Sequence, residues 1–121
     1  MSAGGPINAY EIIKGATMTG TSVITSPVQE VRYEDNVGIQ LIWTGTPVGS
    51  FDIQVSLNYN ANTGVAGDWT SLTLSNPIAP AGSASTGYID LNQLSAPYFR
   101  IVYTNASGTG VLNAWITAKG V

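Results

Sequence analysis

The chain has 121 residues, which is enough for one ordinary domain and too few for two. It contains no cysteine and no histidine, which excludes disulfides, thiolate or imidazole metal sites, thiol nucleophiles and Ser-His-Asp triads. Four basic and seven acidic side chains give a net charge of −3, a balance that does not attract nucleic acid.

The composition favours strands and turns over helices, because it combines 14 glycines with a large pool of β-branched residues. No apolar run approaches the roughly 18 residues that a membrane-spanning helix needs. The first residues lack the basic and apolar regions of a secretory signal, so we expect synthesis in the cytoplasm. Residues 1–10, which include Gly4-Gly5-Pro6, are predicted to form a flexible N-terminal arm, and residues 11–121 a single domain.

Two strand-like segments open the predicted domain, Tyr10–Met18 and Val28–Tyr33. Pro27 lies between them, and proline suits a strand edge or a corner because it has no N–H to donate. The next segment, Val37–Thr44, places Ile39 and Trp43 on one face, which predicts that this tryptophan is buried.

The clearest strand pattern lies in residues 51–60, where apolar and polar residues alternate. The residues predicted to face the core are Phe51, Ile53, Val55, Leu57 and Tyr59. The Gly45–Ser50 segment, which contains Pro47, is predicted to join this strand to the preceding one as a hairpin.

The later predicted strands are Trp69–Leu74, Gly87–Leu91, Tyr98–Thr104 and Val111–Ala118. The glycines of Asn105–Gly110 favour a tight hairpin turn between the last two. One short helical turn is predicted at Asn92–Ser95, and no longer segment has the 3.6-residue period of a helix.

Together these short strands predict an all-β fold with minimal helix. Two antiparallel sheets packed face to face, a β-sandwich, is the architecture that we favour, and a jelly roll is one topology that fits it. A closed barrel is the alternative, because it would use the same alternation of buried and exposed residues.

Candidate chemistry is sparse. The spacing Asn58-x-Asn60-x-Asn62 has the alternate oxygen-bearing residues of a calcium loop, but these side chains are neutral amides and no terminal Glu follows. The segment is therefore predicted to be a loop between strands. Asn60 and Asn62 stay as candidates for contact with a ligand or a partner, and the sequence indicates no cofactor and no metal.

Two tryptophans are further candidates for contact with a ligand or a partner. Trp69 follows a Gly-Asp turn at the start of a strand, where an aromatic residue often closes the end of a sandwich. Trp115 shares its face with Val111 and Asn113, so its burial is ambiguous. Arg100 lies within a predicted strand, where its guanidinium would pair with a carboxylate such as Asp90 or lie across an aromatic ring.

The segment Gly87–Tyr103 contains the pattern Pro-Tyr-Phe-Arg-Ile-x-Tyr, and a Trp-x-x-Leu strand begins at Trp69. With the Gly/Ser turn and the strand that end the chain, these motifs resemble small β-sandwich structural proteins of tailed bacteriophages over roughly residues 37–119. The resemblance implies a non-enzymatic virion component, a capsid decoration or a head or tail accessory protein. Its partners would be other virion proteins and further copies of itself.

A carbohydrate-binding or adhesin module is the alternative function, because tryptophans and tyrosines could form a platform on which a host glycan stacks. The charge balance argues against a nucleic acid as partner, and the short apolar runs argue against a membrane. An enzyme is the least favoured class, because the carboxylates, hydroxyls and few basic groups form no recognisable constellation.

Overall fold

The computed structural model describes residues 9–30, 36–74, 77–91 and 96–119. The strands in these ranges are β1 (Ala9–Met18), β2 (Val23–Thr25), β3 (Gln29–Glu30), β4 (Asn36–Trp43), β5 (Val48–Ser56), β6 (Thr70–Ser71), β7 (Ser85–Leu91), β8 (Tyr98–Ser107) and β9 (Gly110–Lys119). The described ranges contain no helix, and thus none that could cross a membrane. The all-β prediction is confirmed. The helical turn predicted at Asn92–Ser95 lies outside the described residues.

The strands form two antiparallel sheets that pack face to face, as predicted for a β-sandwich. The first sheet has the order β1-β9-β4-β7, and the second has the order β2-β8-β5-β6, with β3 also paired to β8. Side chains alternate along each strand, so every second residue of both sheets enters the space between them.

The core is a single cluster of aliphatic and aromatic side chains from both sheets. Trp43 is 5% exposed, and its indole N–H donates to the backbone oxygen of Ser83 at 2.9 Å. Its ring lies 5.7 Å from Phe51, which in turn lies 4.6 Å from Tyr103. The burial predicted for Trp43 is therefore confirmed, and the one polar atom of its side chain has a hydrogen-bond partner.

Both predicted hairpins are wrong. β4 and β5 lie in different sheets, and so do β8 and β9. The chain therefore crosses from one sheet to the other at residues 44–47 and again at 108–109.

The two crossings lie side by side, which explains their glycines. Thr44 N–H donates to Val111 O at 3.0 Å, and Thr46 N–H donates to Thr109 O at 2.8 Å. Gly45 has a φ of +81°, and a Cβ there would collide with the backbone oxygen of Thr109. The glycines thus allow two segments that are distant in sequence to touch. A tight turn also requires glycines, so the sequence alone does not distinguish the two cases.

β5 ends at Ser56, earlier than predicted, and the burial predicted for Leu57 is wrong: this side chain is 76% exposed. The hydroxyl of Ser56 accepts hydrogen bonds from the N–H groups of Asn58 and Tyr59 at 3.3 and 3.2 Å. This local bonding turns the backbone out of the sheet before the alternation in the sequence ends.

Other strand boundaries also differ from the prediction: β2 lies where no strand was predicted, β5 begins within the predicted loop at Val48, and β8 runs on to Ser107. Within the predicted Trp69–Leu74 only Thr70–Ser71 is a strand, and β3 covers only two residues of the segment predicted to start at Val28. β1 begins at Ala9, inside the range assigned to the N-terminal arm. Residues 1–8 lie outside the described residues, so the arm stays a prediction.

One polar network is buried in the core. Tyr103 and Asn105 are 0% and 1% exposed, and the phenol donates to the amide oxygen of Asn105 at 2.7 Å. The amide nitrogen of Asn105 donates to the backbone oxygens of Gly20 at 2.8 Å and Gly108 at 3.1 Å. Asn105 thus ties the turn after β1 to the second crossing, and burial raises the pKa of Tyr103 above its ordinary value.

Candidate binding surfaces

The loop that joins β5 to β6 forms one wall of a groove that we call the loop groove. Its volume is about 340 Å³. Its lining residues are Val28, Glu30, Tyr59, Asn60, Ala61, Asn62 and Tyr98. The groove therefore combines two phenol rings with two amides and one carboxylate, and it contains two of the residues that the sequence indicated as candidates.

The tip of this loop is held by its own hydrogen bonds. The side-chain oxygen of Asn60 accepts the N–H groups of Asn62 at 2.9 Å and Thr63 at 3.2 Å. Asn60 and Val65 exchange two backbone hydrogen bonds of 3.0 and 2.9 Å. Since the side-chain oxygen of Asn60 already accepts two bonds in the turn, a bound molecule would bond chiefly to its amide nitrogen, which donates.

The base of the loop is closed by a reciprocal pair. Asn58 donates from its amide nitrogen to the carboxylate of Asp68 at 2.8 Å, and the Asp68 N–H donates to the amide oxygen of Asn58 at 2.8 Å. These bonds engage the side-chain oxygens of Asn58 and Asp68 within the loop, as expected for a connection between strands. Within the described ranges no three His, Cys, Asp or Glu residues are grouped so that they could hold a metal ion.

A stack of rings supports the tyrosine wall of the loop groove. The Tyr59 ring meets Tyr98 edge-on, with 5.2 Å between ring centroids, and its centroid lies 5.8 Å from that of Trp69. The guanidinium carbon of Arg100 lies 4.3 Å from the centre of the Trp69 ring, and its Nε donates to Gln54 at 2.8 Å. Arg100 was predicted to pair with a carboxylate or to lie across an aromatic ring, and the structure shows it on an aromatic ring.

Trp69 is half-buried, and it is not one of the residues that line the groove. Its indole N–H donates to the backbone oxygen of Ala66 at 3.1 Å, which fixes the ring against the loop. Contact between Arg100 and the face of Trp69 contributes about 0.5–1 kcal/mol at a partly exposed site. Trp69 is therefore linked to the loop groove through its ring contact with Tyr59.

Trp115 lies far from the other candidates, on the outer face of the first sheet. It is 38% exposed and stands opposite Gln40 on β4 and Glu11 on β1. Tyr88, on the other side of Gln40, is 61% exposed, so the two rings flank one amide. A shallow hollow of about 230 Å³ lies over this row, beside Gly38.

Several residues of these surfaces were not among the sequence candidates. Gln40 and Tyr88 alternate with buried neighbours, so strand periodicity alone could have indicated that they face outward. Tyr59 was assigned to the core because the alternation continues past Ser56. No sequence signal brings Tyr98 to the loop, because that contact depends on which strands are neighbours.

No family model matches the chain, and no curated protein matches it in sequence. Solved structures match its fold. The PBSX exported protein XepA matches with 16% identity and a TM-score of 0.63, over 94% of this chain and 37% of XepA. PirA matches with 12% identity and a TM-score of 0.57, over 91% of this chain and 92% of PirA.

The SPBc2 prophage-derived protein YomS matches with 14% identity and a TM-score of 0.54, over 93% of this chain and 92% of YomS. The chain thus spans nearly the whole of PirA and YomS but little more than a third of XepA. Identities this low show a shared fold. At the level of the fold, the resemblance to phage-derived β-sandwich proteins is confirmed.

Proposed function

We propose that the protein is a non-enzymatic structural component of a phage virion, a capsid decoration or a head or tail accessory protein. It acts by association with other virion proteins and with further copies of itself. The observation that most supports this function is the likeness to YomS, a prophage-derived protein that matches 93% of this chain over 92% of its own length.

The strand order also supports a virion role. β2 and β3 both pair with β8 and together occupy one strand position, so the sandwich has two sheets of four positions each. We infer a jelly-roll topology, which viral capsid domains and lectins share. A weakly charged surface, with a net charge of −3 over 121 residues, gives little repulsion between packed copies.

Fractionation of phage particles tests this proposal. We expect antibody against the protein to detect it in particles purified on a density gradient, and immunogold labelling to place it on the head or on the tail. The matched control is a phage protein that is not incorporated into particles, which stays in the soluble fraction. If the protein stays there too, after synthesis has been verified in the lysate, the virion function is wrong.

Binding of a host glycan is a second candidate function, and the loop groove is the observation that favours it. Phenol rings can stack on the C–H faces of a sugar, and amides and a carboxylate can bond its hydroxyls. The ring stack from Tyr98 through Tyr59 and Trp69 to Arg100 holds this wall in place before a ligand arrives, which reduces the entropy lost on binding.

A glycan array tests the second candidate. If the loop groove binds a saccharide, saturable binding is expected to be lost in Tyr98→Ala and weakened in Asn62→Ala. Trp115→Ala changes an exposed aromatic residue on the other sheet and is expected to leave binding unchanged. Thermal melts of all variants establish that they are folded. Absence of saturable binding by the wild-type protein, or binding that survives Tyr98→Ala, would exclude the groove as a glycan site.

A further inference from the structure

β7 differs from the other edge strands in the described part of the chain because it carries no feature that would block a further strand. β1 is interrupted by two register shifts and carries Lys14 within the second of them. β2, β3 and β6 have only three, two and two residues. Bulges, lysines and short lengths are the usual ways in which proteins protect an edge. β7 pairs with β4 in unbroken register over all seven residues and contains neither lysine nor proline.

The register also shows which backbone groups of β7 point away from the sheet. The hydrogen bond from Thr44 to Val111 directs the even-numbered residues of β4 towards β9, since bonding alternates along an antiparallel strand. The odd-numbered residues of β4 therefore bond to the odd-numbered residues of β7. The even-numbered residues of β7, Thr86, Tyr88 and Asp90, then direct their N–H and C=O groups to the open edge.

The side chains leave this edge accessible. All three residues are exposed. The hydroxyl of Tyr88 lies 2.5 Å from the position that a Cβ of Gly38 would occupy, so the ring leans across β4 towards the middle of the sheet. Three N–H and three C=O groups thus lie in a row that a further strand could reach.

We propose that β7 is an interface for a second copy of this chain, whose own β7 pairs with it antiparallel about a two-fold axis at Tyr88. In this register Tyr88 pairs with its own equivalent, and Thr86 of each copy pairs with Asp90 of the other. The three pairs use all six outward backbone groups, and the two first sheets join into one continuous sheet of eight strands.

The self-complementary register is the reason to name a second copy as the partner. A two-fold interface requires that one surface fits itself, and closed two-fold dimers are the commonest oligomers. The one charged residue of the row, Asp90, meets a threonine hydroxyl and not another carboxylate, so pairing brings no like charges together. The inference deepens the proposed association between copies and rests on it for the identity of the partner.

Analytical ultracentrifugation over a wide concentration range tests the interface. The wild-type protein is expected to shift from monomer to dimer as the concentration rises. Tyr88→Lys and Tyr88→Glu each place like charges opposite one another at the two-fold axis, and each is expected to weaken dimerisation about tenfold or more. An equimolar mixture of the two variants is expected to dimerise again, because opposite charges then meet. Leu57→Lys is the matched control, since it charges an exposed apolar residue away from this edge and should leave dimerisation unchanged.

A monomeric wild-type protein, dimerisation by Tyr88→Lys equal to that of the wild type, or a mixture that stays monomeric would each overturn this interface. The same variants in phage particles separate the two proposals. If the interface fails while the wild-type protein still fractionates with particles, the virion function stands and its partner is a different protein. If the protein dimerises as expected but is absent from particles, the interface stands and the virion function fails.

Discussion

Ile53→Ala is expected to lower the free energy of unfolding by about 2–5 kcal/mol, because it removes a fully buried aliphatic side chain from the middle of the sandwich. Ile53 is 0% exposed in β5, opposite Ile101 of β8, and both strands are central in the second sheet. Chemical denaturation monitored by tryptophan fluorescence measures the change as a lower midpoint with an unchanged denaturant slope.

Leu57→Ala is the matched control, four residues along the chain. Because Leu57 is 76% exposed, its truncation is expected to change the free energy of unfolding by less than about 0.5 kcal/mol. A loss as large as that of Ile53→Ala would mean that β5 continues past Ser56 with Leu57 in the core.

Asn105→Ala is expected to cost about 3 kcal/mol, the second large effect. The substitution leaves the buried phenol of Tyr103 without its acceptor, and it removes the donor to two backbone oxygens, those of Gly20 and Gly108. A buried polar group that loses its partner costs about 1–3 kcal/mol, so the combined loss exceeds that of an ordinary hydrogen bond.

Thermal or chemical denaturation measures this loss, with Asn62→Ala as the control. Asn62 is the same residue type at an exposed position of the loop, so its replacement is expected to change stability by less than about 0.5 kcal/mol. Equal stabilities of the two variants would show that the buried network does not hold the turn after β1 to the second crossing.

The strands and the core could be predicted from the sequence because alternation is a local property. Ile39, Leu41 and Trp43 are buried, as their two-residue spacing indicates. The strand pairings could not be predicted, because a connection rich in glycine serves equally to turn a chain back within one sheet and to carry it across to the other. Gly45 and Gly108 lie on different crossings, and a Cβ on either one would collide with the backbone of the other crossing. The reason for these glycines is therefore visible only in the folded structure.

The candidate site residues also differ in whether their proximity depends on local sequence or on strand pairing. Asn60, Asn62 and Trp69 lie close in the sequence and belong to one loop, so a local pattern could bring them together. Trp115 is the same residue type as Trp69, but it lies on β9 in the first sheet, whereas Trp69 directly precedes β6 of the second sheet. The strand order, which the sequence does not reveal, places the two tryptophans apart. Tyr98 completes the loop groove through the pairing of β8 with β3 and β5, a long-range contact that leaves no signature near it in the sequence.

The order of the strands also affects how quickly and how safely the chain can fold. Among the described strands, β5 and β6 are the only consecutive strands that pair with each other. Nearly every other pairing must therefore close a long loop, and the chain loses that entropy before the stabilising contacts form. All-β proteins of this kind fold in about milliseconds to seconds, more slowly than helical ones. The first sheet carries a further risk, because β9 lies between β1 and β4 and is synthesised after both of them. Until then, β1 and β4 each expose an unpaired edge, and incomplete chains are prone to aggregate through such edges. Substitutions that slow the docking of β9 are therefore expected to reduce the yield of folded protein more than its equilibrium stability.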